Sequence, residues 1–111
     1  MLQWIFLCRE CYTFGLHFVT VLFYTKHGND IMITTDDNCI YTVQHTLQFW
    51  EKKLIYWNFY RCHKCYIVNI EKVTEIIPSY NSTFLLRLEK HKNTVPVGRK
   101  FIKEFKEIIG W

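Results

Sequence analysis

Apolar residues in this chain recur mostly in short β-branched and aromatic runs broken by polar turns, a pattern of strands more than of helices. Val19 to Thr25 and Ile31 to Thr35 are two such runs, separated by Lys26-His27-Gly28-Asn29-Asp30. Gly and Asn at that tip suit a hairpin that needs positive φ. Asp36-Asp37-Asn38 makes a second turn into Cys39-Ile40-Tyr41-Thr42-Val43, so these segments predict an antiparallel meander. The period then changes. Leu47, Trp50 and Leu54 recur at helical spacing, with Gln48, Glu51, Lys52 and Lys53 on the other face, which predicts a short amphipathic helix. Ile67-Val68 and Val73 to Ile77 read as buried strands, the second ended by Pro78, which cannot donate to a ladder. Turns at Asn81-Ser82 and His91-Lys92-Asn93 set off Thr83 to Leu88 and Thr94 to Val97 as two more strands. Phe101, Ile102, Phe105, Ile108 and Ile109 share one face of a last helix. Arg99, Lys100, Lys103, Glu104, Lys106 and Glu107 lie off that face, and Gly110 is the stop.

The prediction is therefore mainly β with two short helices. The 111 residues read as one domain spanning 1–111, and 50% hydrophobic content is enough for a core. Phe49, Trp50, Trp57, Phe59, Tyr60, Tyr66, Phe101 and Phe105 fall at core spacing. They are expected to fill that core, since a base-stacking platform would need them exposed on one sheet face. Met1 to Leu7 lacks the basic start and cleavage site of a signal peptide. Phe14 to Tyr24 is an apolar run broken by Gly15, His17 and Thr20, far short of the ~20 residues that cross a bilayer. The expectation is a cytoplasmic protein, not inserted in a membrane, with its five cysteines reduced.

Charge changes the picture through its distribution. Residues 1–86 carry seven Lys/Arg and seven Asp/Glu, whereas residues 87–111 carry seven Lys/Arg and three acids. The whole formal charge of +4 thus sits in the last quarter of the chain. A positive end on a neutral body is the footprint of a polyanion partner, most often nucleic acid. A solvated, Lys-rich helix face would give the same count.

The run Phe59-Tyr60-Arg61-Cys62-His63-Lys64-Cys65-Tyr66-Ile67-Val68-Asn69 decides between them. It resembles the F-F-R-x-H-x-S-Y-x-V-N core of the LytTR DNA-binding domain, the output module of many bacterial response regulators. Further pieces resemble that family in the right order: Phe18 to Thr35, Leu47 to Leu54, Glu71 to Ile77, Thr83 to Leu88, and Val97-Gly98-Arg99 in place of V-S-R. The best-matching part is 18–109. The departures are Gly98 and Cys65 where Ser is common, a loose match over Met1 to His17, and the lack of a receiver domain.

The resemblance implies an elongated sandwich of small antiparallel sheets that binds double-stranded DNA in bacterial transcriptional regulation. Loops would enter successive major grooves and bend the duplex, commonly on direct repeats, with a homodimer forming on the DNA. Arg99 stands at the arginine of V-S-R, and a guanidinium can bond guanine O6 and N7 in bidentate fashion. Lys64 and His63 occupy the basic positions of the central motif. Lys26, His27 and Asn29 align with a DNA-facing hairpin, where Asn29 could read adenine and Asp30 would repel phosphate. Lys100 and Lys103 suit phosphate anchoring beside Arg99.

Two competing patterns remain. Cys8-Arg9-Glu10-Cys11 and Cys62-His63-Lys64-Cys65 form two C-x-x-C pairs, but they lie much farther apart than the about 15–20 residues of ribbon-type zinc sites. No metal and no cofactor is therefore expected, and the alternative to a DNA binder is a non-catalytic protein-interaction or zinc-binding small domain. A redox response at Cys62 or Cys65 would need a thiol pKa lowered by Arg61, His63 and Lys64. His63 adjoins Cys62 without an orienting third group, and no phosphate loop, dinucleotide fingerprint or carboxylate pair occurs. An enzyme is not expected.

Overall fold

The computed structural model describes residues 2–6 and 16–110, and these described residues form nine strands and two short α-helices. Strand β1 (Leu2–Phe6) pairs antiparallel with the start of β2 (Leu16–His27). The rest of β2 turns back into β3 (Asp30–Thr35), and β3 into β4 (Ile40–Val43), which is the predicted meander. Helix α1 (Leu47–Lys53) then leads to β5 (Phe59–His63) and β6 (Tyr66–Asn69), which return to the far side of β2. The sheet order is β4-β3-β2-β6-β5, with β1 on β2. A second sheet, β7 (Val73–Pro78), β8 (Phe84–Leu88) and β9 (Thr94–Val97), is followed by a 3-10 turn at Arg99–Phe101 and helix α2 (Ile102–Ile109). The principal extents of 43 × 26 × 26 Å bear out the expected elongation. No helix among the described residues is long and apolar enough to cross a membrane.

Local chemistry places these boundaries. Gly28 takes a φ of +63° at the hairpin tip while Asn29 does not take positive φ, the requirement of a turn with glycine first. Thr46 caps α1, its hydroxyl oxygen accepting from the N–H of Phe49 at 3.1 Å. Gly110 closes α2 in the left-handed region at φ +82°, as Gly does at helix ends.

The larger sheet carries a core on each face. One gathers Leu22, Phe23, Tyr60, Cys62 and Val68 with Leu86, Leu88, Val95, Val97 and Phe105 of the second sheet and α2. The other gathers Val21, Tyr24, Ile31, Ile33, Tyr41 and Ile67 with Leu47 and Leu54 around α1. Strict alternation would put Leu22 and Phe23 on opposite faces. A register shift between Val21 and Phe23 sends both into the same core instead.

Two expectations are corrected. Trp57 is 55% exposed, beside Ile55 and Tyr56, because α1 ends at Lys53 and its apolar face stops at the buried Leu54 that caps it. The apolar face of α2, read from sequence as Phe101 to Ile109, is covered unevenly, with Phe105 fully buried and Ile108 47% exposed at its rim. Cys62 and Cys65 are free thiols as expected, whereas Cys39 is disulfide-bonded.

Candidate nucleic-acid interface

The motif strand β5 alternates buried Tyr60 and Cys62 with less buried Phe59, Arg61 and His63. Tyr60 and Cys62 enter the core shared with the second sheet, so Arg61 faces α1, where its Nη1 lies 3.3 Å from Glu51 Oε1. Two residues, Lys64 and Cys65, connect β5 to β6. Their turn is held from several sides. The N–H of Lys26 donates to the Cys65 carbonyl at 2.9 Å, joining the turn to the first hairpin. The Cys65 N–H donates to His63 Nδ1 at 3.1 Å, and Arg61 Nη2 donates to the Lys64 carbonyl at 2.8 Å.

The Arg99 segment is tied to the same strand. The Gly98 N–H donates to the Cys62 carbonyl at 2.8 Å, and the Tyr60 hydroxyl donates to the Phe101 carbonyl at 3.1 Å. Burial, then the charge of Glu104, raises the Tyr60 pKa well above that of a free phenol, so this hydroxyl remains a donor. A Cβ at Gly98 would come within 3.2 Å of Phe101 Cδ2 and 3.4 Å of His63 Cδ2. The ring of His63 therefore lies directly against the residue that precedes Arg99.

These ties bring the basic residues to one edge. A concavity of about 370 Å³ is lined by Lys26 and Asn29 of the first hairpin, Thr46 to Gln48 at the start of α1, and Arg61 and Lys64. A second, of about 440 Å³, is lined by Arg61, His63, Lys64 and Gly98 to Phe101. Arg61 and Lys64 are common to both, so the two form one continuous surface. Lys26, Asn29, Lys64, Arg99 and Lys100 are all exposed along it. The four cations make no ion pair with a described residue, unlike Arg61, Lys72 and Arg87. Unpaired, exposed cations keep their charge available to a polyanion.

The family described as the LytTr DNA-binding domain matches this chain over residues 13–110. The chain belongs to that family. It is 42% identical over 85 residues to the sensory transduction protein LytT of Bacillus subtilis, covering 77% of this chain and 34% of that protein. It is also 42% identical over 52 residues to the transcriptional regulatory protein YpdB of Escherichia coli K12, covering 47% of this chain and 21% of that protein. The chain thus spans about a fifth to a third of the length of the curated relatives it matches. A LytTr DNA-binding domain from Bacillus cereus shares the fold, with a TM-score of 0.80 at 24% identity over 99% of this chain and 97% of that one. The mainly β LytTr architecture is therefore established for this chain.

Within the LytTr fold, the residues singled out from sequence divide into two groups. Lys26, Asn29, His63, Lys64, Arg99 and Lys100 line the continuous surface. His27 and Lys103 are exposed but line neither concavity. His63 has a structural half and an available half. Its Nδ1 accepts from Cys65, which leaves the proton on Nε2, and Nε2 makes no hydrogen bond to a described residue. Desolvation, then the charge of Lys64, lowers its pKa, so the ring is a neutral donor at physiological pH.

Arg61 carries much of this geometry and was not among the DNA-contacting residues expected from sequence. The signal available was its place in β5, between two residues bound for the core. Cys8 and Cys11 lie outside the described residues, and among the described residues no group of three or more His, Cys, Asp or Glu is placed to hold a metal. Cys62 is fully buried, its thiol donating to the Pro96 carbonyl at 3.4 Å, and burial pushes its pKa up to about 12. That removes Cys62 as an activated thiol, because the shift is opposite to the one a redox response requires.

Proposed function

We propose that this domain binds double-stranded DNA sequence-specifically and serves transcriptional regulation, with Arg99 and Lys64 reading base edges. Asn29 and the His63 Nε2–H add further contacts, and Lys26, Lys100 and Lys103 anchor phosphates. The observation that carries the reading is the continuous cationic surface joining the first hairpin, the β5–β6 turn and the Arg99 segment in a LytTr-family domain. These are two loops and a helix start rather than one long helix. They suit entry into successive stretches of major groove, where base edges present distinct donor and acceptor patterns. Contacts from separated loops reach a bent duplex more completely than a straight one, so bending accompanies binding. Two copies then occupy paired direct repeats.

The test is selection of binding sites from a random duplex library, at a salt concentration that suppresses non-specific association. A single enriched motif, present as a direct repeat, is the expected outcome. A pool that stays random while the protein remains folded would overturn the reading.

A further inference from the structure

The β5–β6 turn consists of Lys64 and Cys65, and neither residue takes positive φ. Two-residue hairpin turns that match strand twist require positive φ, and turns without it splay the strands. The pairing also shifts register between Tyr60 and His63. A turn of this kind needs other bonds to hold it. Two of those found here, from the Lys26 N–H and to His63 Nδ1, fasten Cys65. The bond from Arg61 Nη2, at 2.8 Å, fastens the carbonyl of Lys64 itself.

The guanidinium is in turn oriented from α1. Glu51 Oε1 meets Nη1 at 3.3 Å, and α1 is seated in the core by Leu47 and Leu54. One planar fork thus bridges a helix carboxylate and a turn carbonyl, a task for which a lysine ammonium lacks the geometry. Arg61 is poorly placed to bind phosphate. Its side chain is only 25% exposed, both terminal nitrogens are engaged, and its Nε is buried without a partner.

We infer that Arg61 is a positioning residue for DNA readout, bridging Glu51 and the Lys64 carbonyl so that the Lys64 side chain leaves the turn in one orientation. This rests on the DNA-binding function proposed above. A held side chain loses less freedom on binding and meets a base edge at a defined angle.

The experiment compares the unmutated protein with Arg61→Lys, Lys64→Gln, the double variant and Glu51→Ala. Each is titrated against the selected duplex and its single-base-pair variants over a range of salt, with urea unfolding as the control for folding. Arg61→Lys is expected to lose about threefold to tenfold in discrimination at the base pair sensitive to Lys64→Gln, with an unchanged salt slope. The double variant should discriminate no worse than Lys64→Gln alone, an outcome a merely structural role does not produce. Glu51→Ala, a change at the exposed helix surface, should give a smaller loss at the same base pair and tests the bridge even if Arg61→Lys fails to fold. Full discrimination in Arg61→Lys, losses spread over all positions, or a shallower salt slope would each overturn the inference while DNA binding stands. No sequence preference in the unmutated protein would instead sink the DNA-binding function, and the role of Arg61 with it.

Discussion

The side-chain amide of Asn69 donates from Nδ2 to the carbonyl oxygen of Val21 at 2.8 Å, inside the protein and across 48 positions of sequence. Its Oδ1 accepts from the Glu71 N–H at 3.1 Å. Strand β6 ends at Asn69, and Val21 borders the register shift of β2, so the amide stands in where the ladder runs out. Asn69→Ala leaves the Val21 carbonyl buried and unpaired, which should cost about 1–3 kcal/mol. Asn69→Leu should not recover that loss, because added apolar area leaves the carbonyl without a donor. Urea denaturation of the two variants checks this.

Phe105 and Ile108 share one helix but differ in surroundings. Phe105 is fully buried, with ring centroids 6.1 Å from Tyr60 and 6.5 Å from Phe84. Phe105→Ala should cost about 3–5 kcal/mol by transfer and cavity formation. Ile108→Ala, at the exposed rim, should stay within about 0.5–1 kcal/mol. Equal losses in chemical denaturation would mean that α2 is rotated on the sheet.

Arg99→Ala and Lys103→Ala should separate readout from anchoring. Arg99→Ala should lower affinity for the selected duplex by about 1–3 kcal/mol and relax preference at one base pair. Lys103→Ala should weaken binding to all duplexes nearly equally and reduce the salt slope by about one unit. Identical behaviour of the two in salt titrations would contradict the division proposed for them.

Stability should fall on mild acidification. Desolvation lowers the pKa of both His63 and His91, aided at His63 by the charge of Lys64. In the unfolded chain both return to about 6.5. Between the folded and unfolded values the unfolded state binds more protons. The stabilisation is therefore complete above about pH 6.5 and is lost as pH drops through the lower folded values. Urea midpoints should hold steady from about pH 8 to 7 and decline towards about pH 5.5, with a flatter profile in a His63→Asn/His91→Asn double variant.

Much of the fold was legible because partition between apolar and polar positions is a local property. The hairpin at Gly28, the helix from Leu47, the strand ending at Pro78 and the helix stop at Gly110 all follow from residues within a few positions of each other. Trp57 was misplaced for a complementary reason. Periodicity says which residues share a face, while helix length and docking say how much of that face is covered. The site was legible as basic residues within a motif; their grouping was not.

By itself, then, the sequence determined the order and type of the elements, the family, and the positive charge concentrated late in the chain. Only the tertiary structure decided that Leu22 and Phe23 enter one core, that Cys62 is sealed within it, and that Arg61 bridges Glu51 to the Lys64 carbonyl. It also decided that Lys26 and Asn29 share a surface with Lys64, and Lys64 with Arg99. The physical reason is the pairing of β6 with β2. That ladder joins segments some forty residues apart, and its register is the one that buries the apolar faces of both strands together, a condition that neither segment's own pattern can state alone.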